Sequence, residues 1–432
     1  MAIPRTAIAG TELTNDAVGH ERGTAIAGRL PPSSRHSGEH GCFEDPHFLA
    51  AVREMEVLGL HVTATPHAGS GPLDVLPGRM QRRWYLVPPR PRAVRVASLA
   101  LVQPLRTGPR ILKRFAAGAA RLGVPHLWRH ACVHVSGPNR IAPVFGPNAT
   151  HAAFLTGTAG PHRKLVVQFM GEHGGIGGYA KVACKPAAQA LLANEASVLA
   201  ELRDVGLRSA VVPRRLLQEF GEGAAVLATD TARTQRSTCC ARLRPSHLAF
   251  LDELATRTAS RAPDGGALLD GLRAKVRDLP QSLSAEWRHR FEHALELLAL
   301  APELVAPRGL AHGDFTPGNT FQHRDRLCVF DWEYAGYDYP ADFDLIRFVF
   351  TVQALRHEAT VACCRAVESV LVRELGRSAR AARARLIAYL CAQALMLAGR
   401  RSGEKVAALT WEGEQATSLM LDALSGQGRM PA

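Results

Sequence analysis

The sequence predicts an α+β fold in which a strand-rich lobe is followed by a helical lobe. Three observations predict this fold. Residues 151–184 contain three strand-like apolar runs joined by glycine-containing turns, as in an antiparallel meander. Residues 187–202, directly after Pro186, are rich in Ala, Leu and Glu and predict one long helix. From about residue 246 onward the apolar residues follow mostly helical spacing, interrupted by one loop at 312–333.

The chain divides into four predicted segments. Residues 1–42 are rich in Gly, Ala, Ser, Pro and Arg without sustained apolar periodicity. They cannot bury enough surface to offset the entropy of ordering, so we expect a flexible leader. Residues 43–147 are predicted to form a small α/β region of unknown role. The strand-rich lobe is assigned to 148–230 and the helical lobe to 231–425.

Several elements are predicted within the second segment. Apolar residues at helical spacing predict a helix over 46–58. The runs Trp84–Val87 and Val94–Val102 are predicted to be strands because of their apolar and β-branched residues. Residues 110–122 are expected to form a basic amphipathic helix.

Five strands and one helix are predicted for the strand-rich lobe. The first three strands are placed at 151–157, 164–170 and 178–184. Two more, near 211–219 and 224–229, follow the helix and complete the lobe.

The bulk composition narrows the class of protein. A chain of 432 residues with 47% hydrophobic content is long enough for more than one core. The net charge of +13 could indicate an anionic partner, but the basic residues are nearly all arginines scattered among alanines. No aromatic-interleaved basic motif or zinc spacing accompanies them, so no nucleic-acid partner is predicted. The nine cysteines are scattered without a C-x-x-C pair, and no apolar run approaches the ~20 residues that span a bilayer. We therefore expect a cytoplasmic protein without a membrane span.

One loop carries residues suited to phosphoryl transfer. Asp314 is followed five residues later by Asn319, and Asp331 comes twelve residues beyond that, directly after an apolar strand-like run. Phosphoryl transfer needs a carboxylate that orients and deprotonates the attacking hydroxyl, together with hard oxygen ligands for magnesium. Each short motif alone is common in turns. Their joint occurrence in this order and spacing favours a functional site.

Two segments, 310–321 and 327–333, resemble the catalytic and metal-binding motifs of the aminoglycoside phosphotransferase and choline kinase superfamily, whose members are relatives of protein kinases. The continuation over 331–345 is similar to that of choline and ethanolamine kinases, with its Glu-Tyr and Phe-Asp elements. The resemblance covers about residues 150–425. It implies a protein-kinase-like bilobal fold, with a five-stranded N-lobe and a helical C-lobe, that binds ATP and magnesium.

The resemblance also implies roles for four residues of the loop. Asp314 would be the catalytic base or the group that orients the acceptor hydroxyl. Asn319 and Asp331 would be the magnesium ligands, and His312 would brace the loop through hydrogen bonds.

A kinase-like fold also needs a lysine in its third strand that reaches the phosphates, and a glutamate on the next helix that holds it. Lys181 lies in the middle of the third strand-like run, and Glu195 follows in the helix fourteen residues later. Each could instead be a solvated position, but their order relative to Asp314 favours function. Lys185 is the weaker candidate because it lies at the strand end beside Pro186.

A turn that covers the nucleotide is expected between the first two strands, at Thr156–Lys164. Its glycines would let backbone amides approach phosphates, although Gly and Pro also mark an ordinary hairpin turn. Lys164, which ends this turn, is a candidate nucleotide-binding residue. Thr229, in the predicted hinge 228–230, is another, since an adenine edge could bond to the backbone there.

The sequence therefore predicts an ATP- and magnesium-dependent O-phosphotransferase acting on a hydroxyl of a small metabolite, sugar or antibiotic-like compound. One alternative is a Ser/Thr kinase of a peptide, with the N-terminal region as a docking module. Another is a nucleotide-binding pseudokinase or scaffold, which the presence of Lys181, Asp314, Asn319 and Asp331 opposes. The acceptor, the choice between ATP and GTP, and the oligomeric state stay open.

Overall fold

The computed structural model describes most of the chain. The described residues are 41–78, 83–124, 129–235, 237–239, 241–323, 326–356, 361–401, 409 and 413–426. Of the predicted leader, 1–42, only the last two residues fall within these ranges, where they begin a 3₁₀ turn over Gly41–Glu44.

Strands within the described ranges form one large sheet and one small sheet. They are β1 (His61–Thr63), β2 (Gly71–Pro77), β3 (Trp84–Val87), β4 (Ala131–Ser136), β5 (His151–Leu155), β6 (Leu165–Met170), β7 (Ile176–Ala183), β8 (Ala210–Val211), β9 (Arg215–Gly221), β10 (Ala224–Asp230), β11 (Thr320–His323) and β12 (Arg326–Val329). The large sheet has nine strands in the order β1-β4-β2-β3-β5-β6-β7-β10-β9, and the small sheet has the order β11-β12-β8. All pairs are antiparallel except β12 with β8.

The predicted five-stranded lobe is part of this larger sheet, which corrects the expected strand count. Strand β3 lies beside β5, with Tyr85 opposite Leu155 and Leu86 opposite Phe154. The sheet therefore continues across the predicted boundary between residues 147 and 148. An alternating apolar pattern identifies a strand but does not say which strand pairs with its free edge, so this junction was not visible in the sequence.

Two predicted strands also differ from the structure. The segment 94–102 forms the helix Arg92–Ser98 and a 3₁₀ turn at Leu99–Leu101 instead of a strand. All residues from 94 to 101 are buried, and a segment buried on every side has no apolar periodicity that separates helix from strand. The predicted strand 211–219 is divided between β8 and β9, which belong to different sheets.

Three helices in the first half of the chain pack against the large sheet, and helices form most of the C-terminal part. The helices are α1 (Pro46–Val57), α2 (Arg92–Ser98), α3 (Thr107–Leu122), α4 (Pro186–Val205), α5 (Pro245–Thr258), α6 (Gly265–Arg277), α7 (Ala285–Ala299), α8 (Phe343–Arg356), α9 (Val361–Leu375), α10 (Ala379–Arg401) and α11 (Glu414–Ser425). By length and composition α10 could cross a bilayer, but 78% of its most apolar window is buried inside the protein. It contacts α7, α8, α9 and α11 as the central helix of the helical part.

One hydrophobic core joins the N-terminal region to the strands that carry the candidate site. Phe48 and Met55 of α1 are fully buried and belong to the same cluster as Phe154 of β5 and Val167 of β6. Burial of this apolar surface against both groups of strands stabilises them together. The N-terminal region is therefore a structural part of the sheet.

A buried ion pair connects α1 to the turn 156–164. Arg163 Nη2 lies 2.8 Å from Glu54 Oε1, and both residues are almost completely buried. Arg163 Nη1 also donates to the carbonyl oxygen of Thr156 at 3.0 Å. Burial outweighs the Arg163 guanidinium and raises the pKa of Glu54 to about 7.

Glu54→Gln is expected to gain stability relative to the wild type as the pH rises. The unfolded Glu54 carboxyl has a pKa near 4.5 and the folded one about 7. Its stabilising contribution is therefore fully present below about pH 4.5 and is lost as the pH rises through about 7. The free energy of unfolding would be measured with urea near pH 5 and near pH 8. Between these pH values, the difference in this free energy between variant and wild type should shift by about 2–3 kcal/mol in favour of the variant. Glu56→Gln, at an exposed position of the same helix, is the control; an unchanged difference for Glu54→Gln would contradict the shifted pKa.

Candidate active site

The loop that begins at His312 is fixed by a buried carboxylate. The backbone N–H groups of His312 and Gly313 donate to the two carboxylate oxygens of Asp344 at 2.6 and 3.0 Å. His312 Nε2 lies 3.0 Å from the carbonyl oxygen of Phe330, to which it donates, so Nδ1 accepts the N–H of Asp314 at 3.3 Å. His312 is completely buried. It therefore supports the loop from the protein interior and is not exposed to solvent.

A glycine is required next to this histidine. Gly313 has φ +77°, and a Cβ atom there would lie 2.2 Å from the carbonyl oxygen of Tyr334. Any other side chain would be strained by the left-handed backbone and would clash with the neighbouring chain. This close approach brings the loop against the segment that follows Asp331.

Asp314 has partners on both carboxylate oxygens. Arg347 of α8 donates to Oδ1 from Nη2 at 2.9 Å and from Nε at 3.2 Å. Asn319 Nδ2 donates to Oδ2 at 3.0 Å and to the Asp314 carbonyl oxygen at 2.9 Å. Charge-assisted bonds of this kind fix the orientation of a carboxylate. Arg347 is not among the residues predicted from the sequence, although it lies one helical turn after Asp344, at a spacing that brings both side chains to one face.

A β-hairpin brings Asn319 and Asp331 together. Thr320 of β11 lies opposite Val329 of β12, and Phe330 N–H donates to the Asn319 carbonyl oxygen at 3.1 Å. Asp331 follows at φ +71°, a left-handed conformation that is uncommon for a residue other than glycine. Asn319 Nδ2 donates to Asp314, so the Oδ1 atom of Asn319 is the part of this side chain that can accept a bond or bind a cation.

Lys181 lies between two carboxylates from different parts of the chain. Its Nζ atom is 2.8 and 2.6 Å from the Oε1 and Oε2 atoms of Glu195, and it also contacts Oδ1 of Asp331. Burial opposes the charge, but the two carboxylates hold the pKa of Lys181 above its ordinary value. Burial likewise opposes ionisation of Asp331, while the Lys181 ammonium holds the pKa of that carboxyl well below its ordinary value. Lys181 and Asp331 are therefore both charged at neutral pH.

Glu333 adds a third carboxylate beside this cluster. Oxygen atoms of Glu195, Asp331 and Glu333 lie within 4.8 Å of one another. The Glu333 carboxylate contacts Lys164 Nζ, and burial together with the nearby Lys181 ammonium lowers the pKa of Lys164 to about 8. Magnesium prefers oxygen ligands. The three carboxylates therefore provide a donor set that suits the ion.

The predicted nucleotide turn, Thr156–Lys164, is closed by its own hydrogen bonds and by its neighbours. Gly157 has φ +72°, and a Cβ there would lie 2.3 Å from the Lys164 carbonyl oxygen. Lys185 Nζ donates to the carbonyl oxygen of Gly160 at 2.9 Å. The structure thus places Lys164 at the carboxylate cluster, whereas Lys185 contacts the far part of the turn.

Thr229 lies in β10, opposite Tyr179 of β7. Tyr179 is two residues before Lys181 on the same strand. Beyond this strand, Arg233 is buried with its guanidinium carbon 4.7 Å from the ring centre of Phe330 and 5.9 Å from that of Tyr179. A buried cation over aromatic rings is a stabilising arrangement. No short motif marks Arg233, because the rings that it contacts, Tyr179, Phe321 and Phe330, are all distant from it in the sequence.

The candidate side chains thus fall into two connected groups. Lys181, Glu195, Asp331 and Lys164 form one group, and Asp314 with Asn319 forms the other, with Arg347 added by the structure. The hairpin joins the two groups through the bond between Asn319 and Phe330. His312 supports them, and Thr229 lies on the neighbouring strand.

Comparison with known proteins gives matches of two kinds. A family model described as the phosphotransferase enzyme family matches residues 144–368, a range that contains all eight predicted site residues. No curated protein sequence matches the chain. Similar solved structures include a mutant aminoglycoside 2'-phosphotransferase-IIIa with GDP, at 13% identity, covering 61% of this chain and 89% of that one with a TM-score of 0.41. A choline/ethanolamine kinase family protein from Mesorhizobium loti has 16% identity, coverage of 60% and 84%, and a TM-score of 0.37. An aminoglycoside-3'-phosphotransferase of type VIII has 20% identity, coverage of 62% and 89%, and a TM-score of 0.30.

Lys181→Met is expected to destabilise the protein, because it removes the cation that Glu195 and Asp331 share and leaves a buried carboxylate unpaired. We expect a loss of about 3 kcal/mol in the free energy of unfolding, measured with urea. Lys185→Met is the matched control, since this exposed lysine lies four residues along the same stretch; its cost should stay below about 0.5 kcal/mol. Equal losses in the two variants would show that the cluster does not depend on Lys181.

Proposed function

Because the chain belongs to the phosphotransferase enzyme family, we propose that it transfers the γ-phosphoryl group of ATP to a hydroxyl of a small metabolite, sugar or antibiotic-like compound, in a magnesium-dependent reaction. Membership of the family confirms the resemblance drawn from segments 310–321 and 327–333. The observation that carries the proposal is that Lys181, Asp331 and Asp314, from distant positions in the sequence, are joined by continuous contacts.

Lys181 is the proposed phosphate-binding cation. Glu195 fixes its ammonium from the helix side, so the group is already oriented before the nucleotide binds. Lys164 lies beside it and adds a second positive charge on the same side. When phosphate oxygens take the place of the Asp331 oxygen at Lys181, the Asp331 carboxylate becomes available on the hairpin side. Magnesium held by Asn319 and Asp331 would neutralise the charge on the transferring phosphoryl group.

Asp314 is the proposed acceptor of the hydroxyl proton. Arg347 and Asn319 hold its carboxylate oxygens in place, so the acceptor hydroxyl meets a charged and oriented group. The transfer of this proton to an Asp314 oxygen accompanies attack of the hydroxyl oxygen on the γ-phosphorus. The bond from that phosphorus to the β–γ bridging oxygen breaks, and ADP leaves. The Arg347 guanidinium, which is bound to the same carboxylate, provides a positive charge beside the group that accepts the proton.

The structure bears on the peptide-kinase alternative through the N-terminal region. In that alternative, residues 43–147 would form a separate module that docks the peptide. Their strands continue the sheet that carries Lys181, and α1 shares its core. This integration supports a single catalytic unit, and we therefore favour a small acceptor.

Asp331→Ala is expected to abolish magnesium-dependent ATP hydrolysis. The variant removes the charged oxygen ligand that is proposed to hold magnesium together with Asn319. Purified protein would be assayed for nucleotide binding by calorimetry and for slow hydrolysis, with and without magnesium. Asp338→Ala, at an exposed aspartate seven residues later, is the control and should behave as the wild type. Wild-type rates for Asp331→Ala in excess magnesium would refute the metal assignment.

Asp314→Asn is expected to lower turnover at least about a hundredfold while ATP affinity changes little. The amide cannot accept the hydroxyl proton, yet it retains the shape that Arg347 and Asn319 surround. Turnover would be measured with acceptors found by screening sugars, amino alcohols and hydroxylated antibiotics, and ATP affinity by calorimetry. Loss of ATP binding together with turnover would place Asp314 in the nucleotide site and not at the acceptor.

A further inference from the structure

Helix α3 presents large apolar side chains to solvent. Ile111 and Leu112 are 46% and 45% exposed, and Phe115 and Leu122 are 72% and 77% exposed. The helix is held to the rest of the protein by its opposite side, where Ala116 and Ala120 are buried. Exposed apolar groups are common singly, but four on one helix form a patch that favours an interaction.

The spacing of these residues makes the patch continuous. At 100° per residue, Ile111, Phe115 and Leu122 lie within about 40° of one another around the helix axis. Leu112 borders this stripe, and small residues fill the remaining positions of the face. The helix has 16 residues and is therefore about 24 Å long, so the stripe runs along most of it.

The same helix carries only positive charge. Its ionisable residues are Arg110, Lys113, Arg114 and Arg121, with no acidic residue between 107 and 122. Arg114 and Arg121 are exposed beside the apolar stripe. Arginines at the border of an apolar face can bind anionic headgroups while the apolar side chains enter the layer below.

We propose that α3 binds the interfacial layer of an anionic lipid bilayer, with Ile111, Phe115 and Leu122 inserted among the acyl chains and Arg114 and Arg121 at the headgroups. The charge of the helix selects this occupant, because each basic residue near an anionic membrane surface adds to the attraction. The surface lies outside the proposed phosphotransferase site, so the proposal stands or fails independently of the reaction.

The base of α3 lies close to the catalytic loop. Arg110 Nη2 donates to the carbonyl oxygen of Cys239 at 3.5 Å, and the Cys239 thiol lies 4.0 Å from the Gly318 carbonyl oxygen. Gly318 directly precedes Asn319. Helix α3 is therefore connected, through Arg110 and Cys239, to the segment that carries Asn319.

Sedimentation of the full chain with vesicles tests this proposal. Vesicles of phosphatidylcholine alone would be compared with vesicles that contain about one-third phosphatidylglycerol, without nucleotide and at two ionic strengths. We expect binding to the anionic vesicles only, weakened by salt. The double variants Phe115→Ser with Leu122→Ser, and Arg114→Glu with Arg121→Glu, should each bind at least about tenfold more weakly.

Leu300→Ser and Arg380→Glu are the controls, since both residues are exposed and lie outside α3. They should bind as the wild type does, and thermal melting would verify that every variant is folded. Equal binding to both kinds of vesicle, or no binding to either, would overturn the proposal. So would light scattering that shows a wild-type dimer converted to a monomer by the Phe115 and Leu122 substitutions, because the apolar face would then join two copies of the chain.

Discussion

The ammonium group of Lys181 is the point on which the architecture of the site depends. A cation in this position loses most of its hydration, and only nearby carboxylates can compensate for that loss. They come from α4, through Glu195, and from the segment after β12, through Asp331. The adjacent residue Asn194 strengthens the same connection, because its side chain donates to the carbonyl oxygens of Glu333 and Ala335 at 3.1 and 2.9 Å. One charge therefore couples the sheet, the helix and the hairpin.

The other charged side chains of the candidate site are paired in the same way. Lys164 contacts Glu333, and Arg347 is bound to Asp314, so the strongest charges are neutralised locally before any substrate is present. In the proposed reaction, a nucleotide would exchange some of these contacts for its own. The net gain on binding would then be a difference between two sets of ionic interactions, and the oriented side chains would reduce the reorganisation that accompanies it.

The spacing of residues in the chain determined which parts of the site could be predicted. Asn319 and Asp331 flank one hairpin, and Asp314 lies five residues before Asn319. Lys181 and Glu195 lie on consecutive elements, so the residues within each of these two sets are close in the sequence. Arg347 and Arg233 reach their partners through the tertiary fold, and no short motif marks them. Distance along the chain also determined which parts of the fold could be predicted. Individual strands follow from apolar alternation, whereas the pairing of β3 with β5 joins segments more than sixty residues apart.

That pairing also limits how the protein can be divided. The family resemblance begins at residue 144, yet a fragment starting there would leave the outer edge of β5 with unpaired N–H and C=O groups and would uncover Phe154 and Val167, which α1 helps to bury. Open strand edges with apolar neighbours are templates for aggregation. The matched region is thus a unit of sequence similarity without its own closed sheet edge, and the N-terminal strands cover that edge by pairing with β5.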